Sequence, residues 1–182
     1  MKTLASQNGE IQLAPITEKD AKPLFSIVDS NRGIFRKWLP WVDETKSVED
    51  IEKFVRSTIK QAKEGIGLVF AIRYQGVVVG VISFNHVHKN DRKATIGYWL
   101  NPACQGKGIM TEACRLLISY GFDALHLNRV EIGCAVENTK SCAIPERLGF
   151  TKEGVIRDSE WLYDHFVDHN FYGLLKRDWQ NV

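Results

Sequence analysis

One stretch of the sequence joins the end of a strand, a glycine-containing loop and the start of a helix. The run Ile96–Leu100 has the composition of a strand, and Asn101-Pro102 ends it because proline has no amide hydrogen for the ladder. Gly106 and Gly108 follow, and an apolar helical face begins directly after them. The first amides of a helix lack internal partners and its dipole makes that end positive, so such a loop can bind a phosphate-like anion. The pattern predicts a strand–loop–helix unit, which is either a tight turn alone or an anion site.

Two common phosphate-binding motifs are absent from this loop. The P-loop pattern needs a Gly-Lys-Ser/Thr at a spacing that the chain lacks, and the dinucleotide pattern Gly-x-Gly-x-x-Gly fails because position 111 is Thr. The glycines alone therefore do not identify a ligand.

Apolar periodicity over the rest of the chain predicts alternating strands and helices. The predicted strands lie around Ile11 and Leu13 and over Leu68–Tyr74, Val77–Phe84, Ala94–Leu100, Arg129–Val136, Phe150–Ile156 and Phe166–Lys176. The predicted helices begin after the capping residues Thr17 and Ser47 and cover Gly108–Phe122 and about Thr139–Arg147. Hairpins early and β-α-β units late indicate an α/β fold with a mixed, mostly antiparallel sheet flanked by helices. We expect one domain over residues 1–182, with residues 1–8 loose.

Charge and hydropathy argue against several classes of protein. The chain has 182 residues and a formal net charge of +2, without the basic excess that is typical of nucleic-acid binders. Its longest apolar run, Val77–Phe84, is too short to span a bilayer, and Lys2 is not followed by the apolar segment of a secretory signal. We therefore expect a cytoplasmic protein that binds neither nucleic acid nor membrane.

Cysteine and histidine spacing does not indicate a metal site. Four cysteines at 104, 114, 134 and 142 form no Cys-x-x-Cys pair, so free thiols in a reducing compartment are expected. His165 and His169 lie beside Asp164 and Asp168, but the chain lacks His-Glu-x-x-His and this stretch has a strand pattern. No metal is predicted.

Two tryptophans flank a proline in the segment between the first two long helices. Pro40 argues against a regular helix between Trp38 and Trp41. The two rings either cover the core from outside or wall a ligand pocket, and the sequence leaves both possibilities open.

The loop resembles a known family. Gln105-Gly106-Lys107-Gly108-Ile109-Met110 resembles the acyl-CoA pyrophosphate loop of the GNAT N-acetyltransferases, whose pattern is Gln/Arg-x-x-Gly-x-Gly/Ala, with Met110 at the last position. The run Ile96–Leu100 followed by Gln-Gly-x-Gly-Ile-Met-Thr is similar to the RimJ/RimL-type ribosomal-protein N-acetyltransferases. Asn128–Val130, Asn138 with Ser141, and Arg147–Phe150 match as well, so the resemblance covers about residues 9–180.

The resemblance implies acetyl-CoA as co-substrate. It would lie where the strand ending at Leu100 splays from the strand Arg129–Val136, and Trp99 would contact it. The amide of Leu100 would polarise the thioester carbonyl, and Asn138 would contact the pantetheine arm. The pyrophosphate would be held by the loop residues Gln105, Gly106, Lys107, Gly108, Ile109, Met110 and Thr111. Lys107 could equally be a solvated loop lysine.

The resemblance also implies a catalytic pair. Many members place a Tyr near the thiol, but that position is Pro145 here. The RimL-type branch instead implies Ser141 as the acid near the sulfur and Glu160 as a base acting through water. From the residues alone, Ser141 could simply cap a short helix and Glu160 could be a solvated carboxylate. Cys134 resembles a position facing the CoA thiol, although family members commonly transfer the acetyl group directly.

The acceptor expected from the resemblance is the N-terminal α-amine of a ribosomal protein. An α-amine has a pKa of about 7.7–8.0, so one water-relayed carboxylate can deprotonate it near neutral pH. A small-molecule amine, such as a polyamine, amino acid or antibiotic, is the alternative acceptor, and a non-catalytic CoA-binding module is a further alternative. The family's acceptor groove is bordered by the region of Trp38 and Trp41, and the branch implies a homodimer.

Overall fold

The computed structural model describes residues 2–179. Within that range the strands are β1 (Leu4–Ala5), β2 (Ile11–Pro15), β3 (Leu68–Tyr74), β4 (Val77–His88), β5 (Lys93–Leu100), β6 (Arg129–Ala135), β7 (Thr151–Leu162) and β8 (His165–Leu175). The helices are α1 (Ala21–Ser30), α2 (Arg32–Phe35), α3 (Val48–Glu64), α4 (Ile109–Asp123) and α5 (Thr139–Arg147). Short 3-10 turns cover 18–20, 102–104 and 176–178.

The strands form one sheet in the order β1-β2-β3-β4-β5-β6-β8-β7. Its neighbours are antiparallel except β5 and β6, which run parallel because α4 connects them. The predicted mixed, mostly antiparallel α/β fold is confirmed.

Two helix starts follow the predicted capping pattern. The Asp20 carboxylate accepts from the Thr17 amide at 2.8 Å, and the Asp50 carboxylate accepts from the Ser47 amide at 3.1 Å. Each acid thereby satisfies a backbone donor that the helix leaves free. Gly65 ends α3 at φ 71°, a left-handed conformation that glycine adopts without a Cβ penalty.

Helices cover both faces of the sheet. Leu24 of α1 and Val55 of α3 pack on one face, whereas Ala113 and Leu117 of α4 pack on the other. Alternation along β5 divides its residues in the same way: the side chains of Ile96, Tyr98 and Leu100 pack with the α4 cluster, and that of Trp99 packs with the α1 and α3 clusters. No helix within the described residues is both long enough and apolar enough to cross a membrane.

The parallel pair β5–β6 opens towards one end. The two strands are in register at 93–95 with 129–131. β4 follows β5 as far as Leu100, and β8 follows β6 as far as Ala135. The predicted splay of these two central strands is therefore present.

Two expectations from the sequence were wrong in detail. Residues 1–8 were expected to be loose, but Leu4 and Ala5 form β1 and pair with Leu13 and Gln12, since Leu4 packs on the core. A second late parallel β-α-β unit was expected after α5, but β8 inserts antiparallel between β6 and β7. The helical turn α2 and the extension of β7 to Leu162 were not predicted either.

Candidate active site

A cavity of about 600 Å³ opens beside the divergence of β5 and β6. Its walls come from α3, from the 38–41 segment, and from the ends of β5, β6, β7 and β8. Six residues predicted for the site line it together: Trp38, Trp41, Trp99, Asn138, Ser141 and Glu160. Tyr98, Cys134 and His169 line it as well.

The loop expected to hold the pyrophosphate lies at the N-terminus of α4, and among the described residues the lining of the cavity includes none of 105–111. Gly106 and Gly108 have φ of 76° and 74°, and a Cβ on either would meet open space. The side chains of Ile109 and Met110 are buried in the core, which fixes the start of α4. Backbone amides and open space at a helix start fit the phosphate role, whereas the two apolar side chains act in packing.

An irregularity in β7 places Glu160 in the cavity. The register of β7 on β8 shifts between Ile156 and Glu160, and Asp158 adopts φ 48° while its amide donates to the Asp168 carboxylate at 2.9 Å. The Glu160 carboxylate then lies 3.5 Å from Nε2 of His169 and is about one-third exposed. Glu160 is therefore partly enclosed and next to an imidazole, unlike a solvated strand carboxylate.

Asn138, not Ser141, caps α5. Oδ1 of Asn138 accepts from the Ser141 amide at 3.2 Å. The possibility that Ser141 is present only as a cap is thereby wrong, and its hydroxyl is available for another partner. One oxygen of the Asn138 amide is committed to this cap, which leaves its NH₂ group as the donor towards the cavity.

The Ser141 hydroxyl meets a phenol from β5. Oγ of Ser141 donates to Oη of Tyr98 at 3.3 Å, and Oη of Tyr98 donates to the carbonyl oxygen of Ser141 at 3.1 Å. Burial raises the pKa of Tyr98 well above its ordinary value, so the phenol is neutral.

The tryptophan segment both packs and lines the cavity. Trp41 lies 6.1 Å from Trp99 between ring centroids and contacts the cluster of α1 and α2. Oη of Tyr163 donates to the Leu39 carbonyl at 2.6 Å, and the Arg36 guanidinium lies 3.9 Å above the Tyr163 ring. The β7–β8 turn thus holds the 38–41 segment beside the cavity. Trp41 therefore both packs on its neighbours and lines the cavity.

Cys134 is a buried thiol on the cavity wall. Its Sγ lies 3.1 Å from Sγ of Cys142. Burial raises the pKa of the Cys134 thiol, so near neutral pH the sulfur is protonated and a poor nucleophile.

The chain matches a known protein family. A family model described as Acetyltransferase (GNAT) domain matches residues 10–151. The chain belongs to the GNAT acetyltransferase family. As a GNAT protein it is an acetyltransferase, and the predicted resemblance to this family is confirmed.

Other members of the GNAT family match over nearly the whole chain. The ribosomal-protein-serine acetyltransferase of Escherichia coli (strain K12) is 33% identical over 165 residues, covering 91% of this chain and 92% of that protein. The structure of RimL, a ribosomal L7/L12 alpha-N-protein acetyltransferase in complex with coenzyme A, has a TM-score of 0.91 at 28% identity and covers 96% and 98%. The microcin C7 self immunity acetyltransferase MccE, in complex with acetyl-CoA and AMP, has a TM-score of 0.88 at 34% identity and covers 91% and 92%.

Sequence reasoning assigned no role at this site to Tyr98 and did not pair His169 with Glu160. Tyr98 alternates with the apolar Ile96 and Leu100, and a phenol on such a face needs a buried polar partner. That signal could have flagged it. The pairing of His169 with Glu160 depends on the β7 irregularity, which the sequence pattern does not show.

Proposed function

We propose that this GNAT protein transfers the acetyl group of acetyl-CoA directly to the N-terminal α-amine of a protein, with a ribosomal protein as the best candidate. The observation that carries the proposal is one cavity in which Glu160, Ser141 and the tryptophan wall face each other. The similarity to the serine acetyltransferase and to RimL supports the acceptor.

The donor fits the residues that are present. Acetyl-CoA supplies the activated acetyl group. The open loop at Gly106 and Gly108 is suited to its pyrophosphate, and the divergence of β5 from β6 is suited to its pantetheine arm. The backbone of Trp99 and Leu100 borders that divergence, and the Leu100 amide is our proposed donor to the thioester carbonyl.

Glu160 is the proposed base. The acceptor ammonium must lose a proton before its nitrogen can attack, and Glu160 can take it through a water because it is enclosed but not fully buried. His169 lies 3.5 Å from this carboxylate on the same cavity wall.

Ser141 is the proposed acid. As the acetyl carbon bonds to the amine nitrogen, the carbon–sulfur bond breaks, its electron pair stays on sulfur, and the nitrogen gives up its second proton to water. The Ser141 hydroxyl can donate to that sulfur from the first turn of α5. No acetyl-cysteine is needed, in keeping with the protonated Cys134 thiol.

A small-molecule amine is the alternative acceptor. MccE is a microcin self-immunity enzyme, and its similarity of 34% identity keeps this alternative in view. The aromatic wall formed by Trp38 and Trp41 suits either a peptide or a compact amine.

The proposal also covers the assembly, the location and the partners of the protein. We propose a cytoplasmic homodimer that acts without a metal, contacts neither membrane nor nucleic acid directly, and is one domain over residues 1–182. The resemblance of the sequence to the RimJ/RimL branch is the ground for the dimer, and the near-neutral charge argues against direct nucleic-acid binding.

An acceptor panel with acetyl-CoA tests the proposal, with thiol release and product mass as readouts. Peptides with a free α-amine should be acetylated at that amine. The matched control is the same peptide with a blocked N-terminus and an internal lysine, which should not react. Faster acetylation of polyamines, amino acids or amine antibiotics would favour the alternative. Binding of CoA without turnover on any amine would contradict the catalytic roles of Glu160 and Ser141.

A further inference from the structure

The hydrogen-bonded pair of Tyr98 and Ser141 spans the gap between the diverging strands β5 and β6. Tyr98 belongs to β5, and Ser141 belongs to α5, which follows β6. The strands are in register at 93–95 with 129–131, so position 98 lies beyond their paired part. Two hydrogen bonds at 3.1 and 3.3 Å join the phenol to the serine there.

This hydrogen-bonded pair of residues also lies on the cavity wall. Both residues line it, together with Cys134 of β6. Desolvation raises the pKa of Tyr98, and the nearby thiol sulfurs act in the same direction, so the phenol keeps its proton throughout the working range. A neutral phenol can donate one hydrogen bond and accept another.

We infer that Tyr98 is a positioning residue that aligns and strengthens Ser141 as the donor to the leaving sulfur. The inference rests on the proposed function. At rest the phenol donates to the Ser141 carbonyl and accepts from its hydroxyl. When the carbon–sulfur bond breaks, the Ser141 hydroxyl turns to the sulfur, and the phenol hydrogen turns to Oγ of Ser141.

The resulting chain runs from the Tyr98 O–H through the Ser141 O–H to the sulfur. Hydrogen bonds in series polarise one another, so the serine becomes a better donor as charge develops on sulfur. The phenol keeps its proton, since a buried phenolate would be unfavourable; Oγ of Ser141 gives its proton to the sulfur and takes one back, through a water, from the attacking nitrogen. Pro145 of α5 has no hydroxyl to offer, and the phenol that reaches Ser141 comes from β5 of the sheet.

A double-mutant cycle between the two residues tests this role. Tyr98→Phe removes the hydroxyl and keeps the ring. We expect kcat to fall roughly 5- to 30-fold, as for the loss of one hydrogen bond that tightens in the transition state, while the affinity for CoA changes less than twofold. In the Ser141→Ala background the same change should have almost no effect on kcat. Equal effects in both backgrounds would overturn the inference.

Tyr172→Phe is the matched control. Tyr172 is also a buried phenol, and its Oη donates to Glu146 at 2.9 Å, away from Ser141. Tyr172→Phe should lower the thermal unfolding midpoint at least as much as Tyr98→Phe does, and its kcat should stay within twofold of the wild-type value. An equal loss of kcat in both would indicate general loosening and overturn the role of Tyr98.

The cycle remains decisive if Tyr98→Phe does not fold. The substitution Tyr98→3-fluorotyrosine keeps the shape and lowers the phenol pKa, so kcat should change with Ser141 present and stay constant with Ser141→Ala. An unchanged kcat in both backgrounds would overturn the inference. Failure of the proposed function looks different: the wild-type protein would then acetylate no amine, or Ser141→Ala would keep full activity.

Discussion

The carboxylate of Glu160 lies 3.5 Å from Nε2 of His169, with both side chains on the cavity wall. Their strands are antiparallel neighbours, yet the direct cross-strand partners are Ile156 for His169 and Val167 for Glu160. The irregularity in β7 between these registers brings the two side chains together. The pair is therefore built by a local deviation from regular strand geometry.

Glu160→Gln tests the base. We expect kcat to fall roughly 10²–10⁴-fold, the usual contribution of one general base, while CoA binding persists. Raising the pH should partly restore the rate because more of the acceptor amine is then neutral in solution. The exposed Glu44 supplies the control variant Glu44→Gln, which should keep the wild-type rate. If Glu160→Gln keeps the wild-type rate and the acidic limb of the pH–rate profile, the base is a different residue. Asp158, His165 and His169 are then the first candidates.

Gly108→Val tests the pyrophosphate loop. A valine at φ 74° is strained by about 1–2 kcal/mol and would move the amides at the start of α4, so CoA should bind more weakly. Gly149 offers a matched control, since it has φ 77° with equally open space but lies between α5 and β7. Gly149→Val should lose similar stability and retain CoA affinity. Equal CoA affinity in a folded Gly108→Val protein would show that the loop does not hold the pyrophosphate.

Trp41→Ala tests the acceptor wall. Because Trp41 lines the cavity and also packs on Trp99, we expect a higher acceptor KM and a stability loss below the roughly 3–5 kcal/mol of a fully buried ring. Phe35→Ala is the control, since Phe35 contacts Trp99 at 5.4 Å and is absent from the lining of the cavity. It should lose stability without raising the acceptor KM. If both variants raise the two substrate KM values alike, the wall acts in packing alone.

Cys134→Ala tests direct transfer. Because burial raises the pKa of this thiol, its thiolate is scarce near neutral pH, and the variant should turn over at close to the wild-type rate. Initial-rate plots against both substrates should intersect. Parallel lines in the wild-type protein, together with an inactive Cys134→Ala variant, would instead indicate an acetyl-cysteine intermediate.

Glu153→Gln tests a pH-dependent ion pair between Arg129 and Glu153, which lies on the edge strand β7. The Arg129 guanidinium donates to Glu153 of β7 and holds the pKa of that carboxyl below its usual value. A depressed pKa stabilises the fold above the unfolded-state value of about 4.3, and that contribution is lost as the pH falls further. Because the carboxylate is partly exposed, we expect at most about 1 kcal/mol at pH 7. Urea unfolding should show this difference from wild type at pH 7, and the difference should shrink as the pH falls below about 4; a constant difference would contradict the assignment.

The sequence was informative where local pattern decides structure. The strand-like run Ala94–Leu100 ended by Asn101-Pro102 and the acid three residues after Thr17 or Ser47 are short-range signals, and both gave the right elements. The insertion of β8 beside β6 was missed because strand order depends on contacts between distant residues. The gathering of Ser141, Glu160 and both tryptophans in one cavity came from the family resemblance, since nothing in their spacing brings them together.

The late position of β8 in the chain bears on how the protein is made. β8 is the sheet neighbour of both β6 and β7, and it carries His169. During synthesis the earlier segments leave the ribosome first, so β6 and β7 emerge before the strand that joins them. A nascent chain ending near Leu162 already contains Ser141 and Glu160 but lacks the strand that holds Glu160 against the cavity. If the proposed roles hold, catalytic competence is acquired with β8, after the loop at the start of α4 has been made.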